Sequence, residues 1–272
     1  MLKMERSRRL ITTELVDGIA VIRLARAASR NALGIEDWGA LQTALETIAS
    51  PSARVILLES AVPSAFCAGS DLKAMESLVG RPDRAAEFRL RMRSAIEALA
   101  AAPVPTIANI QGDCFGAGVA LALACDFRVA GDGARFGVTP AKLGLSYPAE
   151  DVARLVSTVG AGQASRLLMS ADTISASDAH CMGLVEVLGG ADEAVRIATA
   201  VARNAPQSVV TAKHVIEAIT RGEELAFDDV FDGFFASAAF AEGLKAFKEK
   251  RRPVYADEPR PDVARDAGRR CP

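Results

Sequence analysis

Two short stretches of the chain set small residues at a helix start, an arrangement that offers main-chain N–H groups to a ligand. The first is Phe66-Cys67-Ala68-Gly69-Ser70-Asp71-Leu72-Lys73. The second is Ile110-Gln111-Gly112-Asp113-Cys114-Phe115-Gly116-Ala117-Gly118. Small residues let a ligand approach the backbone. The first N–H groups of a helix lack internal partners and carry partial positive charge. Two such groups converging on one oxygen would form an oxyanion hole, where loss of one donor costs about 3–4 kcal/mol of transition-state stabilisation. Taken singly, either stretch is better read as a structural turn. A nucleotide site is less well supported, because no GxGxxG opens a helix and no GxxxxGK[ST] occurs.

Side chains fit for acid–base work are few. Glu150 and Asp151 stand together at a helix start. Such residues are read as caps or partners of the helix dipole, with a displaced acid–base pair as the alternative. His180 and His214 lie in helical stretches far from both turns and read as surface or packing residues. Two lone histidines give no ligand cluster, so no metal is expected. The cysteines Cys67, Cys114, Cys125, Cys181 and Cys271 are scattered without a CxxC pair, and read as free thiols in a reducing cytosol.

The elements that must position these residues alternate. Leu10–Val16 and Ile19–Leu24 are strand-like and flank Asp17-Gly18, a hairpin signal. Ile35–Ile48 has apolar residues at helical spacing: Trp38, Leu41, Leu45 and Ile48. Val55–Leu58 reads as a buried strand, Ser60–Gly69 as a loop, Ser70–Leu78 as a helix and Arg84–Ala101 as a longer one, ended by Pro103 and Pro105. The order repeats with a strand at Thr106–Ile110, a loop at Gly112–Gly118, a helix at Val119–Cys125 and a strand at Phe127–Ala130. Helices are predicted over Val152–Val159, Gln163–Met169 and Ala176–Cys181, the last with Ser175 and Asp178 as a capping box and Gly183 as its stop. Leu184–Val187 closes the series as a strand. Ala191–Asn204, Gln207–Arg221 and Glu223–Lys250 are then helical, the last breaking near Gly233 or Gly243. The division is therefore a core over 1–190, a helical region over 191–252, and a tail over 253–272. The tail is rich in proline and charge and expected to be extended or disordered.

The bulk numbers bound the function. The 272 residues are half hydrophobic, enough for a sizeable core. A net charge of −2 gives no general attraction to nucleic acid or an anionic membrane. Met1–Leu10 is basic but no long apolar stretch follows, so neither a signal peptide nor a membrane span is expected, and the expected location is cytoplasmic.

A set of motifs in fixed order makes the chain recognisable. Arg30-Asn31-Ala32-Leu33 is followed by Ala65–Lys73, Ile110-Gln111-Gly112, Gly116-Ala117-Gly118, Cys125-Asp126, Phe136-Gly137, Leu143-Gly144, Ile174-Ser175-Ala176 and Gly183-Leu184-Val185. Over roughly residues 10 to 253 the chain resembles the crotonase (enoyl-CoA hydratase/isomerase) superfamily. The resemblance implies an α/β fold, a spiral of ββα units with a C-terminal helical region that packs between subunits, in homotrimers or dimers of trimers. It implies an acyl-CoA thioester as substrate and no separate cofactor, CoA being part of the substrate. Motif position implies that the N–H groups of Ser70 and Ala117 hold the thioester carbonyl oxygen as an enolate forms. Asp71, Leu72 and Lys73 would lie along the ligand, and Lys73 and Arg30 would either meet the CoA phosphates or remain solvated surface charges. Phe247 and Lys250 are candidates for the adenine end, in a neighbouring subunit.

The chain departs from the family where a hydratase carries its two glutamates. By motif position these fall at Ala120 and Pro140, and a third acidic position of related enzymes falls at Pro148. None of these side chains can move a proton. The segment Thr139-Pro140-Ala141-Lys142-Leu143-Gly144-Leu145-Ser146-Tyr147 is similar to the methylmalonyl-CoA decarboxylase branch, in which a tyrosine, here Tyr147, helps orient the substrate carboxylate. That branch has histidine where Ser70 stands. Packing is the other role open to Tyr147. Three readings follow: an enzyme acting through a thioester enolate, a malonyl-type acyl-CoA decarboxylase, and a non-catalytic acyl-CoA-binding subunit.

Overall fold

The computed structural model describes residues 10–48, 52–223 and 227–256. It opens on an antiparallel hairpin, β1 (Ile11–Val16) and β2 (Ile19–Leu24). Asp17 and Gly18 join the strands with φ of 51° and 78°, and positive φ at both turn positions suits the twist of the strands they connect. Helix α1 (Ile35–Ile48) follows and buries Trp38, Leu41, Leu45 and Ile48, the positions whose spacing predicted it.

The chain then follows one course repeatedly, laying a strand in a larger sheet and the next in a smaller one before turning into helix. β3 (Val55–Ser60), β4 (Ala65–Cys67), α2 (Leu72–Glu76) and α3 (Pro82–Ala100) form the first course. The second comprises β5 (Thr106–Ile110), β6 (Asp113–Phe115) and α4 (Ala117–Ala124), and the third β7 (Phe127–Ala130), β8 (Arg135–Gly137) and α5 (Ala149–Ser170). β9 (Ile174–Ser175), α6 (Ala176–Cys181) and β10 (Val187–Leu188) complete the sheets. Their orders are β1-β2-β3-β5-β7-β10 and β4-β6-β8-β9. This is the spiral of ββα units. Beyond it the described chain is helical: α7 (Ala191–Arg203), α8 (Pro206–Thr220), α9 (Asp228–Phe234) and α10 (Ala238–Lys248).

The larger sheet is covered on both faces, so β3 is an unbroken apolar run from Val55 to Leu58. On one face Ile56 and Leu58 pack with Trp38, Leu41, Ile96 and Leu99. On the other, Val55, Leu57, Ile107 and Val129 meet Ala194, Ala198 and Ala202. Those alanines recur every four residues and give α7 a flat face that lies close against the strands. Helix α8 is tied to the core by Lys213, a buried lysine whose Nζ donates to Asp126 Oδ2 at 3.0 Å and to Val104 O at 3.2 Å.

Several boundaries differ from expectation for physical reasons. The two stretches read as loops hold β4 and β6, strands of three residues each, too short to display an alternation. The helix expected from Ser70 starts at Leu72, because Asp71 caps it by accepting the Lys73 N–H. The helices expected at 152–159 and 163–169 are both present as the two arms of α5, which meet at Gly160, where φ 75° and ψ 161° are not helical. The strand expected at 184–187 begins at Val187. The last helical stretch breaks after Gly233, between Phe234 and Ala238, and Ser237 caps α10. The Ser175–Asp178 capping box is present. Within the expected tail, Val254 N–H donates to Glu242 at 2.8 Å and Tyr255 O accepts from Arg54 at 2.6 Å. Residues 257–272 lie outside the described residues, as do 1–9. No helix among the described residues is long and apolar enough to cross a membrane.

Candidate functional site

The Arg30-Asn31-Ala32-Leu33 motif is the scaffold under the first turn. Asn31 is fully buried with φ 58°, a conformation asparagine tolerates better than most residues. Its side chain accepts from Arg26 N–H at 2.7 Å and donates to Ser60 Oγ at 2.7 Å and Phe66 O at 3.0 Å. Leu33 then forms a single parallel bridge with Ser70. Leu33 N–H donates to Gly69 O at 2.8 Å, and Asp71 N–H donates to Leu33 O at 3.0 Å. Extended backbone alternates its polar groups, so the N–H of Ser70 itself points to the side away from Leu33.

The second turn lies against the first. A Cβ placed on Gly69, whose φ is +104°, would sit 3.0 Å from Phe115 O and 3.6 Å from Ala117 N. One placed on Gly118 would sit 2.4 Å from Cys67 O. The glycines at these two positions are what let β4 and the first turn of α4 touch main chain to main chain. Helix α4 has all eight residues buried, as an apolar helix without a polar face must be. Its start is fixed by Gly116, with φ 51°. Gly116 N–H donates to Gly137 O at 2.9 Å. Gly116 O accepts from Val119 N–H at 2.9 Å, Ala120 N–H at 3.3 Å and the Tyr147 hydroxyl at 3.0 Å. A trans peptide holds its C=O and N–H in one plane pointing opposite ways. With Gly116 O drawn toward the helix and Tyr147, the Ala117 N–H is turned outward. Among the described residues no acceptor meets the N–H of Ser70 or of Ala117.

Both residues border a cavity of about 630 Å³. Leu72, Met75, Val79, Phe88, Leu143 and Leu145 supply its apolar walls. Pro140 and Pro148 are also on the wall, whereas Ala120 is buried behind it. Tyr147 is half-buried and lines the cavity. Burial, and then the negative charge of Asp151, push its hydroxyl well above the usual phenol range, so it stays protonated.

Of the residues assigned to the CoA moiety, Leu72 is on the cavity wall and 56% exposed. Asp71 caps α2 and pairs with Arg26 at 2.7 Å. Burial opposes its charge, but the hydrogen bond and charge of Arg26 together with the Ala74 and Lys73 N–H groups outweigh this and keep the carboxyl below its ordinary range. Lys73 is exposed, with no ion-pair partner among the described residues. Arg30 is not on the wall. Its guanidinium pairs with Asp113 and donates to Ser64 O at 3.3 Å. His180 on α6 and His214 on α8 are not on the wall either. Cys67, Cys114 and Cys125 are buried free thiols, and burial pushes Cys67 and Cys125 up to about 12.

One ionisable group that sequence reasoning set aside faces this cavity from within the fold. Asp151, in the first turn of α5, is 4% exposed. Its Oδ1 accepts from Arg154 at 3.1 Å, and no hydrogen bond from the described residues reaches Oδ2. Burial raises its carboxyl to about 6; Arg154 opposes this, while Glu150 and Glu97 add to it. The only signal in the sequence was its place in the first turn, which caps share; its burial comes from packing. A raised value means that the fold favours the protonated form. This group's stabilising contribution is full below about pH 4 and is lost as the pH climbs through about 6. Asp151→Asn should therefore stabilise the protein at pH 7.5 by about 1–3 kcal/mol, at roughly 1.4 kcal/mol per pKa unit, and do little at pH 4. Urea melts at the two pH values check this; a loss at pH 7.5 would contradict it.

Comparison with known proteins agrees with this architecture. The family model described as Enoyl-CoA hydratase/isomerase matches residues 14–258. Methylglutaconyl-CoA hydratase, mitochondrial, of Mus musculus is 35% identical over 257 residues, covering 89% of this chain and 80% of the relative. The human enoyl-CoA hydratase domain-containing protein 2, mitochondrial, is 34% identical, with 88% of this chain and 85% of the relative covered. The crystal structure of enoyl-CoA hydratase from Bacillus anthracis superposes with a TM-score of 0.84 at 32% identity, covering 92% of this chain and 100% of that one. An enoyl-CoA hydratase/carnithine racemase from Magnetospirillum magneticum gives 0.87 at 29% identity, covering 93% and 97%. Motif order, the two-sheet spiral and these matches across nearly the whole chain agree, and the chain belongs to the enoyl-CoA hydratase/isomerase family of the crotonase superfamily.

Proposed function

We propose that the protein is an acyl-CoA enzyme that binds the thioester carbonyl between the Ser70 and Ala117 amides and stabilises the enolate formed there. The observation that carries this reading is the pair of unpartnered N–H groups from adjacent turns on one apolar-walled cavity. Donors held rigidly at a developing oxyanion lower its energy without reorganising during the reaction. CoA enters as part of the substrate. Asp71, Leu72 and Lys73 lie along it, and Lys73, which has no ion-pair partner among the described residues, is better placed for a phosphate than Arg30, whose charge is shared with Asp113. The direct test is the carbonyl stretch of a bound 13C-labelled acyl-CoA. A shift to lower frequency on binding supports polarisation by the two amides; a bound thioester with its solution frequency counts against it.

Hydration of crotonyl-CoA is expected to be very weak, because Ala120 and Pro140 stand where a hydratase has its glutamates. A kcat of about 10²–10³ s⁻¹, the upper range of ordinary enzymes, would overturn that expectation. Decarboxylation of a malonyl-type thioester finds less support. The Tyr147 proton is given to Gly116 O, and a substrate carboxylate would meet the carboxyl of Asp151. Turnover of methylmalonyl-CoA would restore that reading, and tight thioester binding without turnover of any substrate would favour the binding subunit.

Tyr147 supports the Ala117 amide through Gly116 O. Tyr147→Phe should lose about 1 kcal/mol of stability, the net worth of one hydrogen bond. It should lower kcat several-fold with KM little changed, measured by steady-state kinetics. An unchanged kcat would leave Tyr147 a packing residue.

Assembly into trimers or dimers of trimers fits the apolar surface of the last helices. Phe231, Phe235 and Phe240 stack edge to face and are each at least 40% exposed, and Phe247 is 83% exposed. Water-facing aromatics in such number mark an interaction face. Phe247 and Lys250 of a neighbouring copy are the candidates for the adenine end. Light scattering of the purified protein gives the assembly directly.

A further inference from the structure

We propose that the Asp151 carboxylate removes and returns the α-proton of the bound acyl thioester, the task that neither Ala120 nor Pro140 can perform. The inference rests on the reading that the cavity holds an acyl-CoA at Ser70 and Ala117. Asp151 borders the same cavity as those two residues, from the first turn of α5. It is 4% exposed, and Oδ2 has no partner among the described residues while Oδ1 is steadied by Arg154. Pro140 and Pro148, the wall positions where related enzymes place acids, carry none.

The step balances with no further reactant. An oxygen of Asp151 takes the α-hydrogen as a proton. The C–H pair becomes the Cα=C bond, and the thioester π pair moves onto oxygen. That oxyanion accepts from the Ser70 and Ala117 N–H groups. The carboxyl proton exchanges with water of the cavity, and its return to the same carbon restores the thioester with a solvent hydrogen in place.

The surroundings suit a base that must also act as an acid. Glu150 and Arg154 lie beside Asp151 on α5, Arg89, Arg93 and Glu97 face it from α3, Tyr147 from the preceding loop, and Glu76 from α2 across the cavity. Two of these arginines are shared: Arg93 pairs with Glu150 at 3.0 Å, and Arg154 pairs with Glu97 at 2.7 Å. Burial, with Glu150 and Glu97 adding to it against the pull of Arg154, holds the carboxyl near 6, where both protonation states are reached close to neutral pH.

The test uses butyryl-CoA in D₂O with the full-length protein, following α-deuteration by mass spectrometry and binding by calorimetry. The wild type should deuterate the α-carbon, about tenfold faster per pH unit below pH 6 and levelling above it. Asp151→Asn should bind butyryl-CoA within about threefold of wild type yet exchange at least about 100-fold more slowly at pH 7.5. Asp151→Glu, which keeps the acid, should recover most of the rate. Exchange by the asparagine variant at the wild-type rate would overturn the proposal, as would a wild type that binds butyryl-CoA without exchange. Should the wild type bind no thioester at all, the reading of the cavity fails first and this inference with it. The wild-type pH profile stands as an independent arm if the asparagine variant does not fold: a flat rate from pH 5 to 8 would overturn the proposal by itself.

Discussion

Proline in place of Ala117 is expected to lower turnover of an acyl-CoA substrate about 10²–10³-fold, the usual effect of deleting one donor to a developing oxyanion. The substitution is unusually clean. Ala117 is the first residue of α4, where proline's fixed φ is already suited to the helix and its missing N–H breaks no helical hydrogen bond. Gly116, the residue before it, lies at φ 51° and ψ −116°, outside the right-handed helical region that a following proline disfavours. The melting temperature should therefore move little. The lost donor is the one proposed to meet the thioester, and the ring would project where the carbonyl oxygen is to sit, so thioester affinity should fall as well. Ala117→Ser retains the N–H and serves as the control, with turnover expected near wild type. Wild-type turnover in the proline variant, measured by steady-state kinetics with the same substrate, would remove the Ala117 amide from the mechanism.

Alanine in place of Gly118 should cost about 3 kcal/mol or more, at the severe end for a single added methyl. The new Cβ would stand 2.4 Å from Cys67 O and 2.9 Å from Cys67 Cβ. Neither atom is at the end of a flexible chain, so β4 and α4 must separate. That movement would also pull apart the two turns bearing Ser70 and Ala117, and any variant that folds should be nearly inactive. Gly133→Ala offers the contrast, with nothing within 4 Å of its Cβ and no positive φ. It should be neutral or slightly stabilising. Urea denaturation of the two variants decides the matter; equal stabilities would mean that the contact between β4 and α4 has slack that its geometry does not suggest.

What the sequence revealed follows from how local each signal was. Helix α1 was legible to its ends because four apolar residues recur at helical spacing. The first hairpin was legible because Asp17-Gly18 is a turn by its own chemistry, and the start of α6 because Ser175 and Asp178 answer each other within one turn. The smaller sheet was hidden. Its strands are two or three residues long and pair only with partners far along the chain. For the site, motif order led to Ser70, Ala117 and Tyr147, but not to the orientation of their amides or to the bond between Tyr147 and Gly116 O. Asp151 was visible as a residue type alone. Its burial arises where α3 lies across α5, joined by Glu97–Arg154 and Arg93–Glu150, contacts between segments some sixty residues apart. No local pattern encodes such a meeting.

The full burial of α4 has a consequence for how this protein can change. The groups proposed to polarise the thioester are main-chain atoms, and one of them is anchored in a helix that cannot shift without opening the interior. Substitution leaves a peptide N–H in place unless it introduces proline or distorts the backbone. The side chains that would decide which bond reacts sit elsewhere, on the irregular segment from Thr139 to Asp151. Randomising that segment alone should yield proteins with altered reaction selectivity and near-parental folding stability, whereas the same diversity spread over 112–124 should yield mostly unfolded chains. The catalytic repertoire of this scaffold is thus separable from its means of activating substrate.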